Sequence, residues 1–176
     1  MKTLTTERLI LRPLVLSDAT GMFTLDSNPN VHKFLGNNPV NSIAQIHNVI
    51  EMINDQYKKN GIGRFAVVLK ETNEFIGWSG IKFVTEPENN HVNFYDIGYR
   101  LIEEHWGKGY AQESAKAWRD HAFNEMKVPV LYASAHIENA GSINALQKIG
   151  MTIKEQYLHQ NLYCHWFELK APLCGI

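Results

Sequence analysis

A short glycine-containing bend stands between a predicted strand and a predicted helix: Trp106-Gly107-Lys108-Gly109-Tyr110-Ala111. Glycine has no Cβ atom, so the main chain can approach a ligand closely there. The first N–H groups of the following helix lack partners within the helix, and with the helix dipole they favour a bound anion, typically phosphate. The bend therefore predicts an anion site, with a plain tight turn as the alternative. It has neither the P-loop spacing nor the third glycine of a dinucleotide-binding fingerprint.

A second segment of this kind is residues 136–142, where a predicted strand runs into a shorter helix. Asn139 can cap that helix and Ser142 lies near its third position, so both side chains could simply satisfy local backbone groups. The arrangement of the two segments suggests more. Both helix N-termini follow strands that are separated by one crossover helix, so we expect them to face one cleft.

Working outward from these motifs, the sequence predicts strands at residues 8–13, 65–69, 75–83, 93–101, 130–137, 151–157 and 163–169. Helices are predicted after the caps Ser17 and Ser42, after Gly109 and after Asn139. Gly61 and Gly150 stand where helices should end. Antiparallel hairpins come first and a strand-helix-strand unit follows, which predicts a mixed-sheet α/β or α+β fold in a single domain, residues 1–176.

The composition of the 176 residues excludes several classes of protein. A net charge of -1 disfavours a generic nucleic-acid binder, so we expect no nucleic-acid partner. Two cysteines, Cys164 and Cys174, cannot form a disulfide framework, and the eight scattered histidines lack metal-ligand spacing, so no metal site is expected. No apolar run is long enough to span a membrane and the first residues do not form a signal peptide, so we expect a cytoplasmic protein.

Five motifs in order resemble those of one family: residues 7–13 (ERLILRP) with Asp18 after them, 96–101 (DIGYRL), 106–113 (WGKGYAQE), 139–142 (NAGS) and 146–151 (LQKIGM). Over nearly the whole chain the sequence resembles the GNAT superfamily of acetyl-CoA-dependent N-acyltransferases. The closest branch is the one that contains the ribosomal-protein alanine N-acetyltransferases. Asp96 stands where this branch commonly has Glu, and is shorter by one methylene.

The resemblance implies a splayed central sheet flanked by helices, with acetyl-CoA in the V-shaped opening between the strands at residues 93–101 and 130–137. Pantetheine would pair with the main chain of Tyr99 to Leu101, and the pyrophosphate would lie on the amides of residues 106–111. The implied cofactor-binding residues are Tyr99, Arg100, Leu101, Trp106, Gly107, Lys108, Gly109, Tyr110, Ala111, Asn139 and Ser142. For Lys108 a solvated loop side chain is an equal alternative, and for Arg100 a structural ion pair is favoured.

The implied reaction is acetyl transfer to a primary amine by direct attack in a ternary complex. Asp96 is the candidate base, directly or through water, with a structural carboxylate as the alternative. Ser142 is the candidate donor to the leaving thiolate, and Tyr157 is a less favoured one. A main-chain N–H near Leu101 could stabilise the developing oxyanion.

The acceptor could be a protein N-terminal α-amine or a small-molecule amine. At pH 7, deprotonation costs about 1 to 1.4 kcal/mol for an α-amine and about 4.6 kcal/mol for a lysine-like amine, so the former needs less help from a base. The alternative function is a non-catalytic acyl-CoA-binding or sensing module of the same fold. A homodimer through the late strands is implied by family analogy only.

Overall fold

The computed structural model describes residues 2–172, so Cys174 lies outside the described range. The strands are β1 (Leu4–Thr5), β2 (Leu9–Pro13), β3 (Arg64–Leu69), β4 (Phe75–Val84), β5 (Phe94–Leu101), β6 (Val130–His136), β7 (Thr152–His159) and β8 (Leu162–Lys170). The helices are α1 (Ala19–Asp26), α2 (Pro29–His32), α3 (Ile43–Asn60), α4 (Tyr110–Asn124) and α5 (Ala140–Lys148), with 3-10 turns at Leu16–Asp18 and Glu103–His105.

All eight strands join one mixed sheet in the order β1-β2-β3-β4-β5-β6-β8-β7. Neighbouring strands are antiparallel except for β5 and β6, which run parallel and are connected by α4. A parallel pair needs a long crossover connection, and the helix supplies it. The predicted fold class, a mixed sheet flanked by helices, is confirmed.

The hydrophobic core lies on both faces of the sheet. Trp118 of α4 is fully buried and packs edge-on against Phe65 of β3, with 4.7 Å between ring centroids. On the other face α1 approaches β4, where a Cβ atom on Gly21 would collide with the ring of Phe75. Because helices cover both faces, β3 is buried along most of its length, as its apolar sequence requires.

Some local predictions are confirmed and others are wrong. Ser42 begins α3, where its N–H donates to Gln45 Oε1 (3.1 Å), and Gly61 ends α3 in the left-handed conformation (φ 68°). The predicted Ser17 cap of α1 is wrong. A 3-10 turn precedes α1 instead, and the Asp18 side chain accepts from Val15 N–H and pairs with Arg12.

Two short elements, β1 and α2, were not predicted from the sequence. Asn28-Pro29-Asn30 is a segment of the kind that ends a helix. In the structure it also starts one, because Asn28 Oδ1 accepts from Asn30 N–H (2.8 Å) and proline is well suited to the first helical position.

The sheet splays open between β5 and β6. Their parallel pairing is confined to Tyr95 with Leu131 and Asp96 with Tyr132, although both strands continue well beyond these residues. Meanwhile β5 stays paired with β4 as far as Leu101, and β6 stays paired with β8 as far as His136. The carboxyl halves of β5 and β6 therefore border a V-shaped gap.

Candidate functional site

The β5 side of the gap exposes unpaired main-chain groups. Ile102 N–H donates to Ile76 on β4 (2.9 Å), so in this regular antiparallel pair alternate residues direct their N–H and C=O groups away from β4. Tyr99 and Leu101 are those residues, and their main chains face the gap. The indole N–H of Trp106 donates to Leu101 C=O (2.8 Å), which leaves the Leu101 N–H and both groups of Tyr99 available. An extended ligand could pair with this edge as an added strand does.

The glycine bend lies at the end of the gap and presents a run of free donors. Gly107 and Gly109 adopt left-handed φ angles of 73° and 83°, which glycine tolerates without strain. Within residues 2–172 no acceptor bonds the main-chain N–H groups of residues 107–112. A Cβ atom on Gly107 would meet nothing within 4 Å, so the bend faces open space. Free amides at a helix N-terminus fit an anionic diphosphate group, which is what the resemblance requires here.

Arg8 holds this bend in place, and the sequence analysis assigned it no role. Its Nη1 donates to Lys108 C=O (3.0 Å), its Nε donates to Glu113 Oε2 (2.7 Å), and its guanidinium lies 4.5 Å from the centre of the Tyr110 ring. Glu113 also accepts from Thr6 Oγ1 (2.5 Å). The contact spans about a hundred residues of sequence, and no local pattern predicts it.

Ser142 and Tyr99 meet across the gap. The Tyr99 hydroxyl donates to Ser142 C=O (2.9 Å) and lies 3.3 Å from Ser142 Oγ. Burial raises the pKa of Tyr99 to about 12, so the phenol stays protonated and able to donate. Asn139 caps α5 by accepting from Ser142 N–H (3.1 Å), which is the local role that the sequence left open. The capped start of α5, and Ser142 with it, therefore lies against β5.

Asp96 lies on the opposite face of β5 from Tyr99 and is paired. Its Oδ2 accepts from the Arg64 guanidinium, and Arg64 also donates to Gly80 C=O (2.6 Å) and Asp96 C=O (2.9 Å). Burial raises the pKa of Asp96, although the nearby Arg64 opposes this rise. The second oxygen, Oδ1, has no partner within the described residues. Asp96 therefore combines an anchored carboxylate oxygen with a free one.

Arg100 is engaged away from the gap. Its Nη1 pairs with Asp26 Oδ1 at the end of α1 (2.6 Å), and its main chain faces β4. Both Arg100 and Arg64 lie over the ring of Trp78, at 5.2 and 5.3 Å from its centre. The side chain of Arg100 therefore forms a structural ion pair, which is the alternative that the sequence favoured. The side chain of Lys108 is exposed, and its main-chain carbonyl accepts a hydrogen bond from Arg8.

The acetyltransferase (GNAT) domain model matches residues 8–152, which is most of the chain. The chain belongs to this family. An uncharacterized N-acetyltransferase, p20 of Bacillus licheniformis, is 36% identical over 149 residues, covering 85% of this chain and 82% of that protein. Membership confirms the predicted enzyme class, an acetyl-CoA-dependent N-acyltransferase, and with it the acetyl donor.

One further relative and one solved structure with the same fold carry names that give different acceptors. Spermidine N(1)-acetyltransferase of Escherichia coli K12 is 26% identical, over 85% of this chain and 76% of that protein. The crystal structure of ribosomal-protein-S5-alanine acetyltransferase from Vibrio fischeri superposes with a TM-score of 0.78 over the full length of both chains, at 17% identity. At this identity, the similarity to the second protein shows a shared fold alone. Within residues 2–172 the acetyltransferase has no helix long and apolar enough to cross a membrane.

Proposed function

We propose that this protein transfers an acetyl group from acetyl-CoA to a primary amine by direct attack in a ternary complex. The observation that carries the proposal is the coincidence of a splayed parallel strand pair with six successive free amides at its end. The strand edge suits an extended amide-containing arm, and the bend suits a diphosphate. A single ligand that has both an amide-containing arm and a diphosphate would contact the strand edge and the bend together.

The residues proposed to hold acetyl-CoA fall into two groups. The main chains of Tyr99 and Leu101 would pair with its pantetheine arm. The amides of the bend would receive its pyrophosphate, on the segment Trp106, Gly107, Lys108, Gly109, Tyr110 and Ala111. When bound, acetyl-CoA supplies the activated acetyl group. Arg100 has its side chain and main chain engaged elsewhere, and the Asn139 side chain caps α5, so we propose supporting roles for both.

Ser142 and Asp96 are the proposed catalytic residues, and they reach the gap from opposite faces. Tyr99 donates to the carbonyl of Ser142, so the serine hydroxyl hydrogen is free to serve the leaving thiolate. Asp96 would accept the proton of the acceptor amine through its unpaired oxygen, directly or by way of water. Its raised pKa strengthens it as a base.

The charges around Asp96 favour an acceptor with a single amine. Asp96 is paired with Arg64 and Asp26 with Arg100, so each carboxylate already faces a positive side chain. A polyamine carries several positive charges and would be held better by unpaired carboxylates. We therefore propose a peptide α-amine or a small monoamine as acceptor, and the spermidine relative makes a polyamine the second candidate.

The test is an acceptor panel with acetyl-CoA, measured by release of free thiol and by mass spectrometry of the product. The panel holds an alanine-initiated peptide, its N-methylated counterpart, a lysine derivative with a blocked α-amine, and spermidine. We expect transfer to the free α-amine and none to the N-methylated control. Acetyl-CoA binding without transfer to any acceptor would instead favour the sensing module.

A further inference from the structure

Four polar side chains outside the site described so far form a connected cluster: Ser134, Tyr157, Glu88 and His159. Tyr157 Oη lies 2.8 Å from Ser134 Oγ and 2.6 Å from Glu88 Oε1, and His159 Nδ1 lies 3.2 Å from the same Glu88 oxygen. The four come from β6, from β7 and from the loop between β4 and β5. No part of the proposed function yet uses them.

The donor and acceptor groups of these side chains determine the direction of the hydrogen bonds in the cluster. A hydroxyl has one hydrogen, and an ionised carboxylate can only accept, so the Tyr157 hydrogen belongs to Glu88. Ser134 is then placed to donate its own hydrogen to the Tyr157 oxygen. This leaves the lone pairs of Ser134 Oγ free to accept a hydrogen bond from outside the cluster.

Ser134 is located at the mouth of the gap. It is exposed, and it lines a small opening together with Gly98, Tyr99 and Ser142. Asp96 and Tyr132 are partners across the parallel pair, and Ser134 is two residues beyond Tyr132, so Ser134 shares the Asp96 face. Tyr99 and Ser142 line the opening from the other face. An amine that enters from the Asp96 side meets Ser134 at the opening.

We propose that Ser134, Tyr157 and Glu88 form a proton relay that carries the acceptor amine's proton out of the gap to His159 and solvent. The inference rests on the proposed acetyl transfer. Acetylation of an ammonium group by a thioester yields an amide, a thiol and one proton. That proton passes from the amine nitrogen to Asp96 and, by way of water, to Ser134 Oγ on the same face, while the serine proton passes to Tyr157 Oη and the tyrosine proton to Glu88. Glu88 then gives up a proton to His159 and solvent.

Burial keeps Tyr157 from acting as a base itself. Burial raises its pKa, and the hydrogen bond to Glu88 raises it further, so the phenol exchanges one proton for another and stays neutral. Other charged or titratable groups surround the relay on every neighbouring element: Cys164, which faces Tyr157 from β8, Tyr132 of β6, Glu155 of β7, which accepts from Asn89, His91 of the loop, and Asp96 with Arg64 and Lys82 on the sheet. Asp96 and Arg64 are paired with each other, which leaves Glu88 as the carboxylate bonded to the Tyr157 hydroxyl.

The experiment compares pH profiles of kcat for an alanine-initiated peptide in the wild-type protein and in Tyr157→Phe, Glu88→Gln and Ser134→Ala. Below the acceptor's pKa of about 7.7 to 8.0 the amine arrives protonated and needs the relay. We expect kcat to fall about tenfold to a hundredfold near pH 6.5 and to recover to near the wild-type value near pH 9, with the KM for acetyl-CoA unchanged. Tyr163→Phe is the control, because Tyr163 lies on β8 and is 60% exposed.

The outcomes separate the relay from the proposed function. If the wild-type protein transfers acetyl groups and all three variants keep its pH profile, the relay is wrong. A loss of the same size at every pH would also overturn it, because it would mark a structural role. If the wild-type protein acetylates no amine, the proposed function itself fails. Thermal unfolding identifies a misfolded variant, and Ser134→Ala, at an exposed position, still decides the question.

Discussion

Arg8→Met should weaken acetyl-CoA binding although Arg8 lies a hundred residues from the bend in sequence. The substitution keeps most of the aliphatic stem and removes the guanidinium. Three contacts disappear: the bond to Lys108 C=O, the ion pair with Glu113, and the stacking on Tyr110. The main chain of the bend then loses the side chain that fixes its position through Lys108 C=O.

The size of the effect follows from these contacts. The hydrogen bond contributes about 1 kcal/mol, the half-exposed ion pair about 0.2 to 1 kcal/mol and the cation–π contact about 0.5 to 1 kcal/mol. They are not additive, so we expect a loss of about 1 to 2 kcal/mol in the free energy of unfolding. Reordering one freed residue of the bend on binding costs about 1 to 2 kcal/mol, which raises the Kd for acetyl-CoA about 5- to 30-fold.

Isothermal titration calorimetry with acetyl-CoA measures the Kd, and thermal unfolding measures stability. The matched control is Arg119→Met on α4, the helix that follows the bend. Arg119 also donates to a main-chain carbonyl, of Ile149 (2.9 Å), and pairs with Asp120, but it does not touch the bend. We expect both variants to lose stability and only Arg8→Met to lose affinity. Equal affinities in the two variants would refute the reasoning.

Three further predictions follow from the same geometry. Asp96→Asn keeps an acceptor for Arg64, so we expect the Kd for acetyl-CoA to be unchanged. At pH values below about 8 we expect kcat to be lower than in the wild-type protein. A kcat equal to that of the wild-type protein at every pH would remove Asp96 from the mechanism. Gly107→Asp places a carboxylate in the open space before the bend and should abolish acetyl-CoA binding by calorimetry, whereas Gly107→Ala, with the same left-handed strain, should retain most of it. Burial lowers the pKa of His32 below 6.5, so the folded protein binds fewer protons than the unfolded chain, and the free energy of unfolding should fall as pH drops through about 6.5. Denaturant titrations of His32→Gln should show a smaller decrease, and an identical decrease in both proteins would contradict this.

The sequence predicted the features that depend on local chemistry. The left-handed glycines 107 and 109 and the free amides after them follow from residue types and from the start of a helix. The cap of α5 by Asn139 and the end of α3 at Gly61 likewise depend on local residue types. The parallel pairing of β5 and β6 also agrees with the predicted strand-helix-strand unit, whereas the sequence analysis made no prediction that β8 would lie between β6 and β7.

The contacts that span the fold could not be predicted this way. Arg8 reaches Glu113, and Glu88 reaches Tyr157, across long separations in sequence. The Ser17 cap failed for a local reason: a 3-10 turn occupies residues 16–18, and its capping contact is made by Asp18, which accepts from Val15 N–H and pairs with Arg12. A dimer through the late strands stays a prediction. In this structure β7 forms one edge of the sheet and is largely exposed.

The central claim is that the free amides of the glycine bend hold the diphosphate of the acetyl donor. Solution NMR of the nitrogen-15-labelled protein tests it directly, with CoA added so that no turnover occurs. If the bend holds the diphosphate, the amide resonances of residues 107–112 shift most, and these amides become protected from hydrogen exchange. Shifts confined to other segments, with residues 107–112 unchanged at saturating CoA, would contradict it.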